Sequence, residues 1–312
     1  MRTIVVGAGV VGLTTAVCLR EAGVAADVVA REQPQDTTSA VAAALWYPYR
    51  ALPAARVTVW SAATYEALGR LARVPGSGVR MRAGTELLPG DAPDPWWRDA
   101  VPGLRRTREG LRFVAPVVDM SVHLPWLVGR LRALGGTVQR RHLDALEADA
   151  VVNCAGLGAR ELAGDASLSA VRGQVVRVTA PGVQEWLLDQ SDPEQLVYVV
   201  PRRAHAAGGR GSGDVVLGGA AQEGDEDPTA DPATTAAIRA RCAALVPALR
   251  DAPVVDVAVG LRPVRPAVRL EAEGRVVHCY GHGGAGVTLA WGCGVEVAAL
   301  LGARGGRYAP PR

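Results

Sequence analysis

The sequence contains no lysine, because all 34 of its basic residues are arginine; 31 acidic residues oppose them and leave a net charge of +3. It also has a single phenylalanine and no basic block long enough to follow a phosphate backbone. Proteins that bind single-stranded nucleic acid usually combine a basic groove with a row of stacking aromatic side chains. These absences argue against a nucleic-acid partner.

No run of about 20 uninterrupted apolar residues, the length that a membrane-spanning helix needs, occurs in the chain. Residues 1–6 resemble the start of a strand and lack the apolar stretch and small-residue cleavage site of a signal peptide. We therefore expect no membrane partner and a cytoplasmic location.

Cysteine is scarce and scattered, with five residues at Cys18, Cys154, Cys242, Cys279 and Cys293. Their number is odd and their spacing matches no metal-ligand motif. We expect buried free thiols and no metal site.

What the sequence does contain is typical of a globular protein. Hydrophobic residues make up 49% of its 312 residues and charged residues 21%, a composition that argues against disorder. The length exceeds one ordinary core, so we expect one large domain or two interleaved domains.

The first 30 residues predict a βαβ unit. Apolar runs at residues 3–6 and 26–30 predict two buried strands, and residues 10–22 have helical periodicity that ends at Gly23. Residues 7–12 form the turn between the first strand and the helix. Further strands are predicted at residues 148–154 and 275–280, the second followed by a glycine loop (281–286) and a helix (287–301).

Other segments have a different character. Parts of residues 172–220 alternate apolar and polar residues, which predicts antiparallel strands around a Gly/Ala/Arg loop at 206–213. Residues 125–134 and 234–245 predict amphipathic helices. The predicted fold class is therefore α/β: a Rossmann-like nucleotide domain built from discontinuous segments (1–46, 136–175 and 270–312) and an interleaved, mainly antiparallel substrate domain (47–135 and 176–269).

The N-terminal turn matches GxGxxG between a strand and a helix, the context that a dinucleotide site requires. Gly7 permits the tight turn, Gly9 lets the backbone approach a pyrophosphate, and Gly12 lets the helix pack closely on the strand. Twenty residues after Gly12, Glu32 can accept hydrogen bonds from ribose hydroxyls. Its neighbour Arg31 could instead face a phosphate, which would weaken the ribose interpretation.

The glycine loop before the last predicted helix bears on whether the dinucleotide is NAD or FAD. The open amides of a helix N-terminus favour negative charge, and in a flavoenzyme they can face the N1–C2=O edge of the flavin. The loop could equally serve only as a close contact between domains. His282 in this loop is interpreted as a turn residue rather than a base.

Residues 260–266 (GLRPVRP) alternate arginine and proline after an apolar strand. The prolines hold the backbone extended, so that an arginine is available for bidentate binding of a carboxylate. A surface edge strand with solvated arginines is the alternative. Tyr198 lies on an apolar strand and supports no functional claim by itself, and no acid or base pair suited to hydrolysis is present.

With these motifs in order, the sequence resembles the D-amino-acid oxidase family of flavoenzymes, of bacterial type. The resemblance extends along nearly the whole chain, and its most specific carriers are residues 41–46 (VAAALW), 260–266 and 280–288 (YGHGGAGVT), supported by residues 37–39 and 151–154. It implies noncovalent FAD and the oxidation of a D-amino acid by dioxygen to a 2-oxo acid, ammonia and hydrogen peroxide.

The resemblance also implies the site residues. Arg262 and Tyr198 would bind the substrate carboxylate, and the carbonyl of Gly284 would receive the amine. No side chain would serve as acid or base, because hydride transfer to a flavin depends on alignment. The implied cofactor contacts are Gly7, Ala8, Gly9, Val10, Val11, Gly12, Arg31, Glu32, Thr37, Thr38, Ser39, Ala43, Ala44, Leu45, Leu143, Arg262, Gly283, Gly284, Gly286, Val287 and Thr288.

Two departures from the family pattern stand out. Ala44 replaces the family's usual glycine, a mild change that keeps the side chain small. Residues 192–197, which match the family's lid, are short and lack a second tyrosine, which puts lid gating in doubt.

The expected substrates are neutral D-amino acids. An oxidase of D-aspartate or D-glutamate is the main alternative and would need a second cation, for which Arg50, Arg202 and Arg203 are candidates. A glycine- or sarcosine-type amine oxidase, a nicotinamide-dependent dehydrogenase and a noncatalytic flavin module remain open, as does a homodimer.

Overall fold

A computed structural model describes residues 2–88, 92–146, 150–180, 182–192, 196–202 and 213–302. Its helices are α1 (Val10–Glu21), α2 (Thr38–Val41), α3 (Ala54–Leu71), α4 (Met120–Ala133), α5 (Ala159–Leu162), α6 (Pro232–Leu245) and α7 (Gly286–Leu300). Its strands are β1 (Thr3–Val6), β2 (Ala26–Ala30), β3 (Val79–Leu87), β4 (Arg105–Arg106), β5 (Gly110–Val118), β6 (Val138–Arg140), β7 (Val151–Asn153), β8 (Ser169–Thr179), β9 (Trp186–Asp189), β10 (Val197–Pro201), β11 (Asp214–Gly218), β12 (Gln222–Glu223), β13 (Val254–Glu273) and β14 (Val276–His282).

The described strands form one continuous sheet in the order β4-β5-β3-β9-β10-β11-β8-β13-β14-β7-β1-β2-β6, with β12 paired to β8. The five strands from β14 to β6 are parallel to one another. Their sequences are short apolar runs, because α1 and α7 pack together over this part of the sheet and shield it from water. This is the predicted Rossmann-like half of an α/β fold.

The rest of the sheet is mainly antiparallel, as the alternating segments predicted. Strand β8 pairs with β11 and β13, and β10 pairs with β9 and β11, all in antiparallel register. One pair, β3 with β9, is parallel. Strands β8 and β13 cross the predicted boundaries at residues 175 and 270, so the two halves share unbroken strands.

The starts of two helices differ from the periodicity. Helix α4 begins at Met120 rather than Pro125, because the Asp119 side chain caps it by accepting a hydrogen bond from the Ser121 amide at 3.1 Å. Helix α6 begins at Pro232, because Asp231 caps it in the same way. Helix α3 was not predicted. Three predicted features lie partly outside the described residues: the loop at residues 206–212, the strand at residues 148 and 149, and the segment matched to the family's lid at residues 193–195.

The segment from Gly283 to Leu300 is apolar and long enough to cross a membrane, but 61% of it is buried inside the protein. It contains α7, which packs on α1 and α3. Burial on this scale is expected of the core helix of a globular domain, whose apolar residues face the protein interior.

Candidate active site

One cavity of about 600 Å³ is lined by residues that follow the carboxyl ends of the parallel strands. Gly7 follows β1, Arg31 follows β2, Ala155 follows β7 and Gly283 follows β14. Ligands of open α/β sheets bind at this edge. Its lining also includes the following predicted site residues: Ala8, Gly9, Val10, Val11, Glu32, Thr37, Thr38, Ser39, Ala43, Ala44, Leu45, Leu143, Tyr198, Arg262, Gly284, Gly286 and Val287.

The glycine turn after β1 packs so closely on neighbouring backbone that two of its positions have no room for a side chain. Gly7 has φ +112°, and a Cβ there would lie 2.3 Å from the carbonyl oxygen of Cys154. A Cβ on Gly12 would lie 2.0 Å from the carbonyl oxygen of Gly7, and Gly12 does not line the cavity. Gly7 therefore shapes the cavity wall, while Gly12 lets α1 pack on the turn.

Two features bear on phosphate and ribose binding. The first amide of α1, at Val10, donates to Ser39 Oγ at 3.0 Å, so the α2 segment closes over the helix N-terminus. Arg31 donates to the Glu32 carboxylate at 2.8 Å, and both side chains remain exposed beside the cavity. The arginine is thus paired with the predicted ribose ligand.

The residue that replaces the family's glycine, Ala44, adopts φ +58°. A left-handed conformation is strained for any residue with a Cβ, so this substitution is less mild than its size suggests. The neighbouring backbone is held by Thr288, whose hydroxyl accepts from the Tyr47 amide and donates to the Tyr47 carbonyl, both at 3.0 Å. Thr288 does not line the cavity; it ties this segment to α7.

Arg262, Tyr198 and Gly284 come together in the cavity lining. Arg262 donates from Nη1 to the Ala220 carbonyl at 2.9 Å, and its guanidinium lies over Gly173. A Cβ on Gly284 would lie 3.7 Å from Arg262 Cδ. Burial raises the pKa of Tyr198, and the neighbouring Arg262 opposes that shift. The result is a neutral hydroxyl beside a fixed cation, which suits a carboxylate.

The structure adds Tyr49 to this group, a residue that the sequence analysis missed. A Cβ on Gly284 would lie 3.1 Å from Tyr49 Cδ1, and Tyr49 lines the cavity. Its position three residues after the VAAALW motif was the available signal.

A buried polar network also lies behind the cavity wall. The Tyr47 hydroxyl donates to Glu86 Oε1 at 2.6 Å, and Gln190 Nε2 donates to both, at 2.8 and 3.0 Å. Glu86 Oε2 is buried without a hydrogen-bond partner. Burial raises the pKa of Glu86, against the hydrogen bonds from Tyr47 and Gln190.

The two arginines of the GLRPVRP segment have different surroundings. Arg265 donates to Asp165 at 2.8 Å, as does the Tyr280 hydroxyl, and Arg265 does not line the cavity. Burial alone would raise the pKa of Asp165, but hydrogen bonds from Ser167, Tyr280 and Arg265 outweigh it and lower the pKa.

The alternative of an edge strand with solvated arginines is wrong, because Arg262 donates to the Ala220 carbonyl and Arg265 to Asp165. Residues 260–264 pair with β8, and Val264 also pairs with β14. Pro266 lies where the register with β14 shifts, outside both ladders.

The candidates for a second substrate-binding cation lie elsewhere. Arg202 donates to the Ala42 carbonyl, and Arg50 lies over the Tyr49 ring with its Cζ 5.3 Å from the centroid. Neither side chain lines the cavity. Arg203 lies outside the described residues.

The cavity's features fit a flavin dinucleotide. It joins the glycine turn, Glu32 and the N-terminus of α7, where Gly286 and Val287 line it and no side chain caps the helix. A nucleotide would extend along the turn, and the open end of α7 would face the negative edge of a reduced flavin.

Comparisons with known proteins agree with this geometry. Residues 2–300 match the family model described as DAO, FAD dependent oxidoreductase. A D-amino-acid oxidase of Rubrobacter xylanophilus is 52% identical over 97% of this chain and 96% of its own length. One from Streptomyces coelicolor is 46% identical over 95% of each chain, and a human D-aspartate oxidase is 36% identical over 96% of this chain and 94% of its own.

Among solved structures, a glycine oxidase of Geobacillus kaustophilus superposes with a TM-score of 0.79 at 18% identity, over 96% of this chain and 94% of that one. At that identity the likeness shows the fold alone, and it confirms the predicted α/β class. The family match and the curated relatives extend over nearly the whole chain. The chain therefore belongs to the D-amino-acid oxidase family of FAD-dependent oxidoreductases, and FAD is its cofactor.

Proposed function

We propose that the protein oxidises neutral D-amino acids with noncovalently bound FAD, converting substrate, dioxygen and water to a 2-oxo acid, ammonia and hydrogen peroxide. One observation carries the proposal: a guanidinium, that of Arg262, lines the cavity beside the neutral hydroxyl of Tyr198. The names of the bacterial relatives, both D-amino-acid oxidases, support the same reaction.

The chain's own residues would act by binding and orientation. Arg262 and Tyr198 hold the substrate carboxylate, while the carbonyl of Gly284 accepts a hydrogen bond from the amine. These contacts at two substituents of the α-carbon fix which face of that carbon is presented, which sets the preference for the D enantiomer. The chemistry that bound FAD would supply is the acceptance of the α-hydrogen as hydride, with dioxygen as the final two-electron oxidant. No side chain needs to remove that hydrogen as a proton.

The lining supports neutral substrates. Around Tyr198 the described cavity wall is apolar or aromatic, formed by Leu188, Leu196, Val200 and Tyr47. Besides Arg262, the described lining contains two arginines, Arg31 and Arg141. They follow β2 and β6, at the nucleotide end. Within the described lining, nothing supplies a second arginine for an acidic side chain near the carboxylate site.

The test is anaerobic mixing of the purified protein with D-alanine and, separately, L-alanine, while the visible flavin bands are recorded. Bleaching by D-alanine alone supports the proposal, and bands that persist with both enantiomers contradict it. Rates with D-aspartate, glycine and sarcosine then discriminate the alternatives. A faster rate with D-aspartate than with D-alanine would favour the acidic class to which the human relative belongs.

We also propose a cytoplasmic location, a homodimer, and no membrane or nucleic-acid partner. Size-exclusion chromatography with light scattering tests the dimer, and fractionation of the native cells tests the location.

A further inference from the structure

At the cavity wall, the fold assembles a cluster of soft metal ligands that the spacing of the cysteines did not predict. Cys279 lies on β14, His282 ends that strand, and Cys293 lies on α7. Each offers one donor atom, and the three donor atoms all lie within 4.8 Å of one another. All three side chains are buried.

A fourth donor lies beside the cluster. Cys154 follows β7, which pairs with β14, and its thiol interacts with that of Cys279. The chain's five cysteines are all free and buried, and three of them meet here.

His282 supplies a second, independent indication of a ligand. It is only 5% exposed, and its Nε2 has no hydrogen-bond partner within the part of the chain that the structure describes. A buried polar atom without a partner is energetically costly, and coordination to a cation would remove that cost.

We propose that Cys279, Cys293 and His282 form a binding site for a thiophilic divalent cation of the Zn²⁺ class, with Cys154 as the fourth ligand. Two or three thiolates and an imidazole match the ligand sets of tetrahedral zinc sites. Tetrahedral bonds of about 2.3 Å to sulfur place two sulfurs about 3.8 Å apart. The donor atoms of Cys279, His282 and Cys293 would therefore have to approach one another by no more than about 1 Å.

The position of the site gives the cation an entry route. Cys154, Cys279 and His282 line the cavity, whereas Cys293 is fully buried behind them. A cation can enter through the space that the flavin would occupy, so bound FAD should slow its entry. Since thiols lose protons on coordination, affinity should rise with pH.

The experiment uses the full-length chain with and without FAD. The chain is mixed with Cd²⁺, which forms ultraviolet-absorbing thiolate bonds, and with Zn²⁺, followed by dialysis and metal analysis. We expect about one retained equivalent per chain, a thiolate–Cd²⁺ absorption band, and slower band growth when FAD is bound. Retention and the band should be lost in Cys279→Ala and in Cys293→Ala.

Cys242→Ala is the matched control, because Cys242 is an equally buried free thiol in a separate part of the core. It should retain the metal as the wild type does. X-ray absorption of the wild-type Cd²⁺ complex needs no variant, and it should show a first shell containing both sulfur and nitrogen. Failure of the wild type to retain metal, or a Cys279→Ala variant that retains it fully, would overturn the proposal.

Discussion

Gly173 offers a test of Arg262 that leaves the arginine in place. In the centre of β8, a Cβ on Gly173 would lie 2.3 Å from Arg262 Nη2 and 2.4 Å from Cζ. Ordinary contacts begin near 3.4 Å, so Gly173→Ala must move the guanidinium by about 1 Å. The displaced atoms are the end of a flexible side chain, and the fold can accommodate the shift without moving the backbone.

The expected effect is on catalysis. A displacement of about 1 Å in a group that positions substrate can cost about 100-fold in rate. Removing the guanidinium altogether, in Arg262→Ala, should cost about 2 to 5 kcal/mol of substrate binding, the usual effect of deleting one partner of a buried charge pair. We therefore expect Gly173→Ala to lower kcat/KM for D-alanine about 100-fold, with FAD content and thermal midpoint close to those of the wild type.

The assay is peroxide release against D-alanine concentration, with flavin absorbance and thermal unfolding recorded on the same samples. Gly69→Ala is the matched control, since Gly69 lies in α3 and a Cβ there would meet no atom within 4 Å. It should leave kcat/KM unchanged and raise stability by up to about 1 kcal/mol. A folded, FAD-loaded Gly173→Ala variant with wild-type kcat/KM would refute the carboxylate role of Arg262.

Three further predictions concern the cofactor and the core. Glu32→Ala should weaken FAD binding by about 1.5 kcal/mol, the value of a hydrogen bond to a charged group; an unchanged Kd in a titration of apoprotein with FAD would remove Glu32 from the ribose site. Ala44→Val should lower the free energy of unfolding by at least about 2 kcal/mol, because a β-branched residue is strained at positive φ. Its control, Ala44→Gly, should have a free energy of unfolding within about 1 kcal/mol of the wild-type value. Glu86→Gln should raise the free energy of unfolding at neutral pH by about 1 to 3 kcal/mol by removing a buried, half-satisfied carboxylate. Since burial raises the pKa of Glu86, the folded state binds this proton more tightly than the unfolded state does, and the contribution of Glu86 to stability falls as pH rises above about 4. Urea unfolding from acid to neutral pH should therefore show a free energy of unfolding that depends less on pH in the variant. Identical pH dependences in variant and wild type would contradict the argument.

The parts of the fold that the sequence predicted correctly are those whose signal is local. The first βαβ unit is recognisable because strand, glycine turn and helix follow one another within 30 residues, and each has its own pattern. The alternating residues of β8, β10 and β11 predicted antiparallel strands for the same reason. The glycine motifs then indicated which strand ends would carry the ligand.

What the sequence could not predict depends on contacts between distant residues. Tyr47 meets Glu86 and Gln190, which are 39 and 143 positions away, and Thr288 meets Tyr47 across 241 positions. No local periodicity in the sequence indicates such contacts. The cluster of Cys279, His282 and Cys293 is similar, because a strand and the following helix bring together side chains that match no ligand motif along the chain.

The role of the GLRPVRP segment depends both on local residue spacing and on contacts with distant residues. Arg262 and Arg265 are three residues apart on β13, and since side chains alternate along a strand, they are directed to opposite faces of the sheet. That spacing alone implies that only one of the two arginines can reach any given ligand. The choice depends on distant neighbours: Gly173, across the β8 ladder, leaves room for the Arg262 guanidinium at the cavity, whereas Asp165 binds Arg265 on the other side. Local sequence thus predicts that one arginine is functional, and the surrounding fold identifies Arg262 as the one that faces the cavity.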